Sequence, residues 1–310
     1  MVGSDAYILT VDVGNSQIRF GLFAQDGAAA AGAPLGTCEI TTPARLTADE
    51  ARMRLGEVLR MLACDAGALP AGAPAVAAAD KADSAGATEM FGDVAHGPLA
   101  LSSAVLSCVV PALERPWTAA LERACSGRVL AVGPGLKTGM RMRYDDPAEI
   151  GPDRIADAVA ARAVYGAPCI VVDLGTTTNI EVIDAKGAFA GGVIAPGLAL
   201  GARSLSAAAA RLPQVEPAAP ARVIGRSTRE AMRSGVVLGE VARLDGMLDM
   251  VLAEMRAEDA AGEDAVPIVI TGDDAAVLAS LVRHDLTVDD TLTLRGLAEL
   301  YRINQKPRRA

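Results

Sequence analysis

Short apolar runs alternate along the chain with stretches of helical spacing, the pattern of an α/β protein. Residues 7–13 read as a strand and Arg19 to Phe23 as the next, joined by a turn at Asn15-Ser16-Gln17, so that a hairpin opens the chain. From Thr47 to Ala63 the apolar positions Ala48, Ala51, Leu55, Val58, Leu59 and Leu62 recur at three and four. That spacing predicts a helix. Thr47 is its expected N-cap, and Glu50, three residues on, completes a capping box. Residues 65–98 change abruptly to Ala, Gly, Pro and scattered acids, with little apolar bulk to bury, and read as a surface insertion or flexible loop.

A strand over Ala104 to Val110 leads into a helix opened by Pro111 and carrying Trp117 and Leu121, and Arg128 to Val132 forms another short strand. Tyr144-Asp145-Asp146-Pro147-Ala148-Glu149-Ile150-Gly151-Pro152-Asp153-Arg154 is polar and turn-rich and enters a helix with Ile155, Ala156, Val159, Ala160 and Ala163 on one face. Asp153 and Arg154 therefore stand at a helix N-terminus, where free N–H groups and the dipole favour anions. A second hairpin follows, Val171 to Asn179 and then Ile180 to Asp184 with a turn at Lys186-Gly187. Gly191 to Gly197 is a strand breaking into a loop, and Leu200 to Leu212 an Ala-rich helix ended by Pro213. Ser227 or Thr228 begins a long helix through Met232, Val236, Val237, Val241, Leu244, Leu248 and Val251. Pro267 to Gly272 is a strand, and Leu294 to Ile303 lies in the closing element.

Within this pattern one unit occurs twice: a β-branched strand ends in an aspartate, followed by glycine and hydroxyl or amide residues. The copies are Val11-Asp12-Val13-Gly14-Asn15-Ser16 and Val172-Asp173-Leu174-Gly175-Thr176-Thr177, their aspartates 161 positions apart in 310 residues. Half-length repetition points to duplicated halves. A strand-borne carboxylate beside free backbone N–H groups suits a phosphate or its metal ion. By itself an Asp-x-Gly turn is common; two copies with a third strand ending in Thr271-Gly272 are more specific.

Composition narrows the chemistry. Hydrophobic residues make up 51% but aromatics only 3%, so the core is expected from Ala, Val, Leu and Ile. Mean hydropathy is +0.29, yet no run approaches the roughly 18–20 uncharged residues a membrane span needs. With Asp5 and no basic leader, no signal peptide is read and a cytoplasmic location is expected. A net charge of −9 argues against nucleic acid as a partner. Five cysteines, Cys38, Cys64, Cys108, Cys125 and Cys169, form no C-x-x-C pair and read as reduced. Neither of the two histidines, His96 and His284, sits in a ligand-like or triad arrangement, which leaves acid–base work to carboxylates.

The strand-Asp repeats match the nucleotide-binding plan of the acetate and sugar kinase, heat-shock-70 and actin superfamily. More narrowly, Asp12-Val13-Gly14-Asn15-Ser16, Tyr144 with Gly151-Pro152-Asp153-Arg154, Asp173-Leu174-Gly175-Thr176, Gly191-Gly192-x-Ile194-x-Pro196-Gly197, Leu212-Pro213 and Gly225-x-x-Thr228 occur in this order. Together they resemble a type III pantothenate kinase over nearly the whole chain except 65–98. The resemblance implies two duplicated ribonuclease-H-like (actin-like ATPase) lobes, each a mixed sheet flanked by helices, facing a nucleotide cleft. The lobes are expected at 1–147 and 148–310.

It also implies phosphorylation of pantothenate by ATP, the first step of coenzyme A synthesis. By the same likeness Asp12, Val13, Gly14, Asn15, Ser16, Gln17, Ile18 and Arg19 form the ATP phosphate loop, and Thr176 touches the nucleotide. Asp153 is the implied base, with Tyr144, Gly151, Pro152, Arg154 and Thr228 around pantothenate. Asp173 is implied at a monovalent cation, K+ or NH4+, Asp12 is suited to Mg2+, and a homodimer is implied. Three positions depart from the family pattern: Asp273 where Gly is usual, Thr177-Thr178-Asn179 for the commoner Ala-Thr-Thr, and Pro152 for Ala. The Asp273 change and the 65–98 insertion leave open a catalytically silent binding or regulatory protein. A kinase for another small hydroxyl compound is a third reading.

Overall fold

The structure is a computed structural model, and it describes residues 6–25, 32–67, 99–259 and 265–305. Most of the expected insertion at 65–98 lies outside these residues.

The chain groups into two compact units, Met1–Lys137 with Leu297–Ala310, and Thr138–Gly296. The halves expected at 1–147 and 148–310 differ from this grouping chiefly at the C-terminus, where the end of the last helix joins the first unit. In the first unit strands β1 (Tyr7–Val13), β2 (Gln17–Ala24), β3 (Gly36–Thr41), β4 (Leu101–Cys108) and β5 (Val129–Ala131) form a sheet in the order β3-β2-β1-β4-β5. β1 pairs antiparallel with β2 and parallel with β4. Helix α1 (Ala48–Asp65) carries the expected capping box, Thr47 accepting from the Glu50 N–H while the Glu50 carboxylate accepts from the Thr47 N–H at 2.8 Å. It and α2 (Pro111–Ala124) bury Leu55, Leu62, Leu113 and Trp117 against Leu9, Val11 and Phe20, with the Phe20 and Trp117 rings edge to face at 5.5 Å. Aromatics are scarce, so this one pair fills volume that Ala and Val cannot.

The second unit repeats the plan. After α3 (Pro152–Tyr165) come β6 (Cys169–Leu174), β7 (Thr177–Ile183), β8 (Phe189–Pro196), α4 (Leu198–Ala208), α5 (Thr228–Arg233), α6 (Gly239–Asp259), β9 (Ile268–Gly272), α7 (Ala275–Ala279) and β10 (Thr287–Val288). Helix α8 (Leu292–Asn304) closes the chain. The sheet order β10-β9-β6-β7-β8 mirrors the first sheet strand for strand, with an antiparallel hairpin, a third antiparallel strand and two parallel strands. The duplication inferred from the two aspartates is thus a duplication of topology, and both aspartates occupy the next-to-last position of the first strand of their sheet.

Two local readings need correction. β3 is half exposed and its sequence, Gly36-Thr37-Cys38-Glu39-Ile40-Thr41, lacks the apolar density that reveals a strand. The long helix from Thr228 is interrupted by a π-helical turn over Ser234–Leu238. Its apolar face is internal: Val237, Val241, Leu244 and Leu248 are buried in this unit's own core with Ile170, Val172 and Ile270.

Candidate active site

The first-unit residues lie where the repeat predicts. Asp12 sits in β1 opposite Arg19 of β2 and Ser107 of β4. The turn beyond it is tight: the Gly14 N–H donates to the Gln17 carbonyl at 3.0 Å, and the Thr42 hydroxyl donates to the Gly14 carbonyl at 2.7 Å. Val13 and Ile18 are buried anchors, Asn15 and Ser16 are exposed, and Gln17 and Arg19 are partly buried. Arg19 pairs with Glu39 at 3.6 Å.

In the second unit the polar loop before α3 is built from short-range hydrogen bonds. Asp146 accepts from the Ala148 N–H at 2.9 Å and caps a 3-10 turn over Pro147–Glu149. Gly151 is the N-cap of α3 and Pro152 its first residue, where the missing N–H costs nothing. Asp153 turns its carboxylate back onto the helix start and accepts from the Arg154 N–H at 2.8 Å. A Cβ at position 151 would collide with that carboxylate oxygen, so Gly151 fits here because it has no side chain. Burial raises the Asp153 carboxyl above its ordinary value, against the pull of the Arg154 N–H and guanidinium.

Arg154 is itself buried. Its Nε donates to Glu181 Oε1 at 3.0 Å, and its guanidinium lies 5.6 Å from the centre of the Phe189 ring. Burial works against its charge, and Glu181 with Tyr144 more than restores it. Tyr144 acts on the Arg154 guanidinium directly and also lies against Phe189, ring centres 6.0 Å apart, and its segment is held by paired hydrogen bonds of Arg141 and Arg143 with Phe189. Tyr144, Gly151, Asp153 and Arg154 are therefore one connected cluster.

Asp173 belongs to the same electrostatic neighbourhood. Its charge raises the carboxyls of Asp157 and Glu181, both buried, with burial the larger cause in each and the guanidinium of Arg154 opposing at Glu181. Asp157 Oδ1, Glu181 Oε2 and Thr271 Oγ1 are buried without a hydrogen-bond partner among the described residues. Burial and the neighbouring carboxylates thus hold Asp157 and Glu181 towards their protonated forms beside Arg154. No three acidic, histidine or cysteine side chains of the described residues converge as a metal cage. Thr176 is partly buried in the turn after β6, where its carbonyl accepts from the Gly197 N–H at 3.1 Å. Thr228 stands apart from these contacts, exposed as the first residue of α5. The cap there is Ser227, which accepts from the Glu230 N–H at 3.2 Å, while the Glu230 carboxylate accepts from the Arg226 N–H at 2.7 Å.

Glu181, Asp157 and Phe189 were not singled out by sequence reasoning. A signal existed: Glu181 interrupts the apolar run Ile180-Glu181-Val182-Ile183, in which Ile180 and Ile183 are buried and Val182 partly so, and an unpaired carboxylate there is costly.

A family model described as type III pantothenate kinase matches residues 64–250. A type III pantothenate kinase of Shouchella clausii is 34% identical over 96% of this chain and 100% of its own length. The chain belongs to the type III pantothenate kinase family. A member from Rhodospirillum centenum is likewise 34% identical, over 96% of this chain and 98% of its own, and one from Koribacter versatilis is 40% identical over 65% of this chain and 71% of its own. Among solved structures, a Baf family protein of Campylobacter jejuni aligns with a TM-score of 0.50 at 17% identity, covering 96% of this chain and 98% of that one, a likeness of fold.

Proposed function

We propose that this kinase phosphorylates the 4′-hydroxyl of pantothenate with Asp153 as general base. The observation that carries the assignment is the connected cluster of Asp153, Arg154, Glu181, Phe189 and Tyr144 at the start of α3. Asp153 accepts the hydroxyl proton as the oxygen attacks the γ-phosphorus of ATP and the bond to the ADP oxygen breaks. Transfer of this kind asks the protein for positioning and charge balance above all. A buried carboxylate with a raised pKa is a better proton acceptor than a solvated one. Arg154, Tyr144, Gly151, Pro152 and Thr228 hold pantothenate in this reading, and residues 12–19 with Thr176 hold ATP. The product, 4′-phosphopantothenate, is the first intermediate towards coenzyme A.

Two cations accompany this reading. Asp12 would hold Mg2+ together with the phosphates, and Asp173 a monovalent ion, K+ or NH4+, near the buried carboxyls of Asp157 and Glu181, which a cation would draw towards ionisation. When bound they neutralise phosphate charge. A homodimer is part of the proposal, supported by the exposed apolar side chains Ile194, Val223 and Ile224, and analytical ultracentrifugation tests it. A cytoplasmic location agrees with five free cysteines and with the absence, among the described residues, of any helix long and apolar enough to cross a membrane.

Purified protein with ATP, Mg2+, K+ and pantothenate is expected to form ADP and 4′-phosphopantothenate. Asp153→Asn should lower kcat by about 10²–10⁴-fold while the protein stays folded by circular dichroism. A folded, cation-loaded wild type without pantothenate-dependent ADP formation would refute the assignment.

A further inference from the structure

We propose that Glu181 is a positioning residue, which fixes the guanidinium of Arg154 in the orientation that meets the oxygens of the substrate beside Asp153. The proposal rests on the assignment of Asp153 and Arg154 to the pantothenate site.

Glu181 stands in the middle of β7 with 0% of its surface exposed. A carboxylate there has lost its water and must be compensated. Among the described residues the compensation is a single hydrogen bond, from Arg154 Nε at 3.0 Å. Phe189 supports the guanidinium at 5.6 Å, and Gly192, opposite Glu181 in the β7–β8 register, leaves it room: a Cβ at 192 would lie 3.1 Å from Arg154 Nη2. The arginine is therefore held by a carboxylate, the Tyr144 side chain, an aromatic ring and an absent side chain.

A pair serving stability alone would be expected to close as a two-point fork. Here Nη2 of Arg154 and Oε2 of Glu181 both remain buried without a hydrogen-bond partner among the described residues. Orphaned donors of this kind call for an explanation, and buried ion pairs often add little stability over apolar residues of the same size. Orientation supplies the reason. Gripped at Nε, the guanidinium keeps N–H capacity for a ligand oxygen, and pantothenate offers hydroxyl, amide and carboxylate oxygens to such a planar donor. Arg154 directly follows Asp153 on the first turn of α3, so a tilt of the guanidinium shifts the bound hydroxyl relative to the base.

The test compares wild type, Glu181→Gln, Arg154→Lys and the double variant. Its readouts are kcat, KM for each substrate, and pantothenate Kd by titration calorimetry. Glu181→Gln keeps the shape and an acceptor but removes the charge. Its KM and Kd for pantothenate should rise about 10- to 100-fold, the scale of a misplaced positioning group, while KM for ATP stays put. Arg154→Lys should cost at least as much, and the double variant no more than Arg154→Lys, because Glu181 acts through Arg154. Glu181→Asp, which keeps the charge, should fall between wild type and Glu181→Gln, and it carries the test if Glu181→Gln does not fold. Pantothenate affinity unchanged in Glu181→Gln, penalties that add in the double variant, or equal rises in both KM values would overturn the proposal. A wild type that binds no pantothenate would instead overturn the functional assignment and this inference with it.

Discussion

Replacing Gly192 with alanine is the sharpest small perturbation of the proposed site. A Cβ built there lies 1.9 Å from the Ile180 carbonyl oxygen and 3.0 Å from its carbon. Carbon–oxygen contacts in sheets settle at about 3.3–3.6 Å, so the two strands must separate by more than about 1 Å. The contact is with backbone, which no side-chain rotation relieves. Ile180 and Glu181 pair with Val193 and Gly192, so the opening falls on the residue that holds Arg154. Overpacking of this kind costs about 1–3 kcal/mol. A displacement near 1 Å at a positioning group costs up to about 10²-fold in rate.

Gly246 in α6 is the control, since a Cβ there meets nothing within 4 Å. Gly246→Ala should gain about 0.5–1 kcal/mol from helix propensity and leave turnover alone. The assay is urea unfolding for both variants, with kcat and KM for pantothenate and for ATP. For Gly192→Ala a lower midpoint and a raised KM for pantothenate are expected. An unchanged midpoint together with an unchanged KM would refute the steric reasoning.

Other outcomes follow from the carboxylates. Because burial raises the pKa of Asp153 and a base acts ionised, kcat/KM for pantothenate should fall with a one-proton slope as pH drops through a value above the ordinary carboxylate pKa of about 4; a profile flat down to that value would exclude this role. Asp157 is raised by burial and by Asp173 and Glu181, so its contribution to stability is present below its unfolded pKa and lost as pH rises through the folded one. Asn cannot ionise, so Asp157→Asn should be more favourable, relative to wild type, at pH 8 than at pH 4 in urea melts, and an equal difference at both would contradict the sign. Asp273 follows the end of β9, beside the proposed nucleotide, and Asp273→Gly should lower KM for ATP about two- to fivefold, the worth of a partly solvated like charge. No change in KM for ATP would mean that this carboxylate does not face the phosphates.

Much of the fold was legible because its causes are local. The Thr47–Glu50 box, the proline that opens α2 and the strand-Asp-x-Gly repeats are each set by a few adjacent residues, and all appear where the sequence puts them. What escaped depends on partners distant in sequence. β3 is a strand because β2 offers it a ladder, from Gln17 opposite Thr41 to Leu22 opposite Gly36, and not because its own residues are strongly β-forming. The apolar face of α6 could not be assigned to core or interface until Ile170, Val172 and Ile270 were seen to cover it.

The candidate site divides in the same way. Asp153 and Arg154 were readable from a helix start, where one turn of chain sets both the dipole and the cap. Their neighbour Glu181 lies 27 positions away and contributes nothing to any local motif. What betrays it is a conflict between levels: a charged residue inside an apolar strand contradicts the burial pattern around it, and such a contradiction survives only where something pairs with it. A search for ionisable residues at buried strand positions would have named Glu181 without a structure, but not Arg154 as its partner. That step needs the register, in which β7 crosses the start of α3 and β8 places a glycine opposite the carboxylate, so that a strand, a helix terminus and a missing side chain together fix one guanidinium.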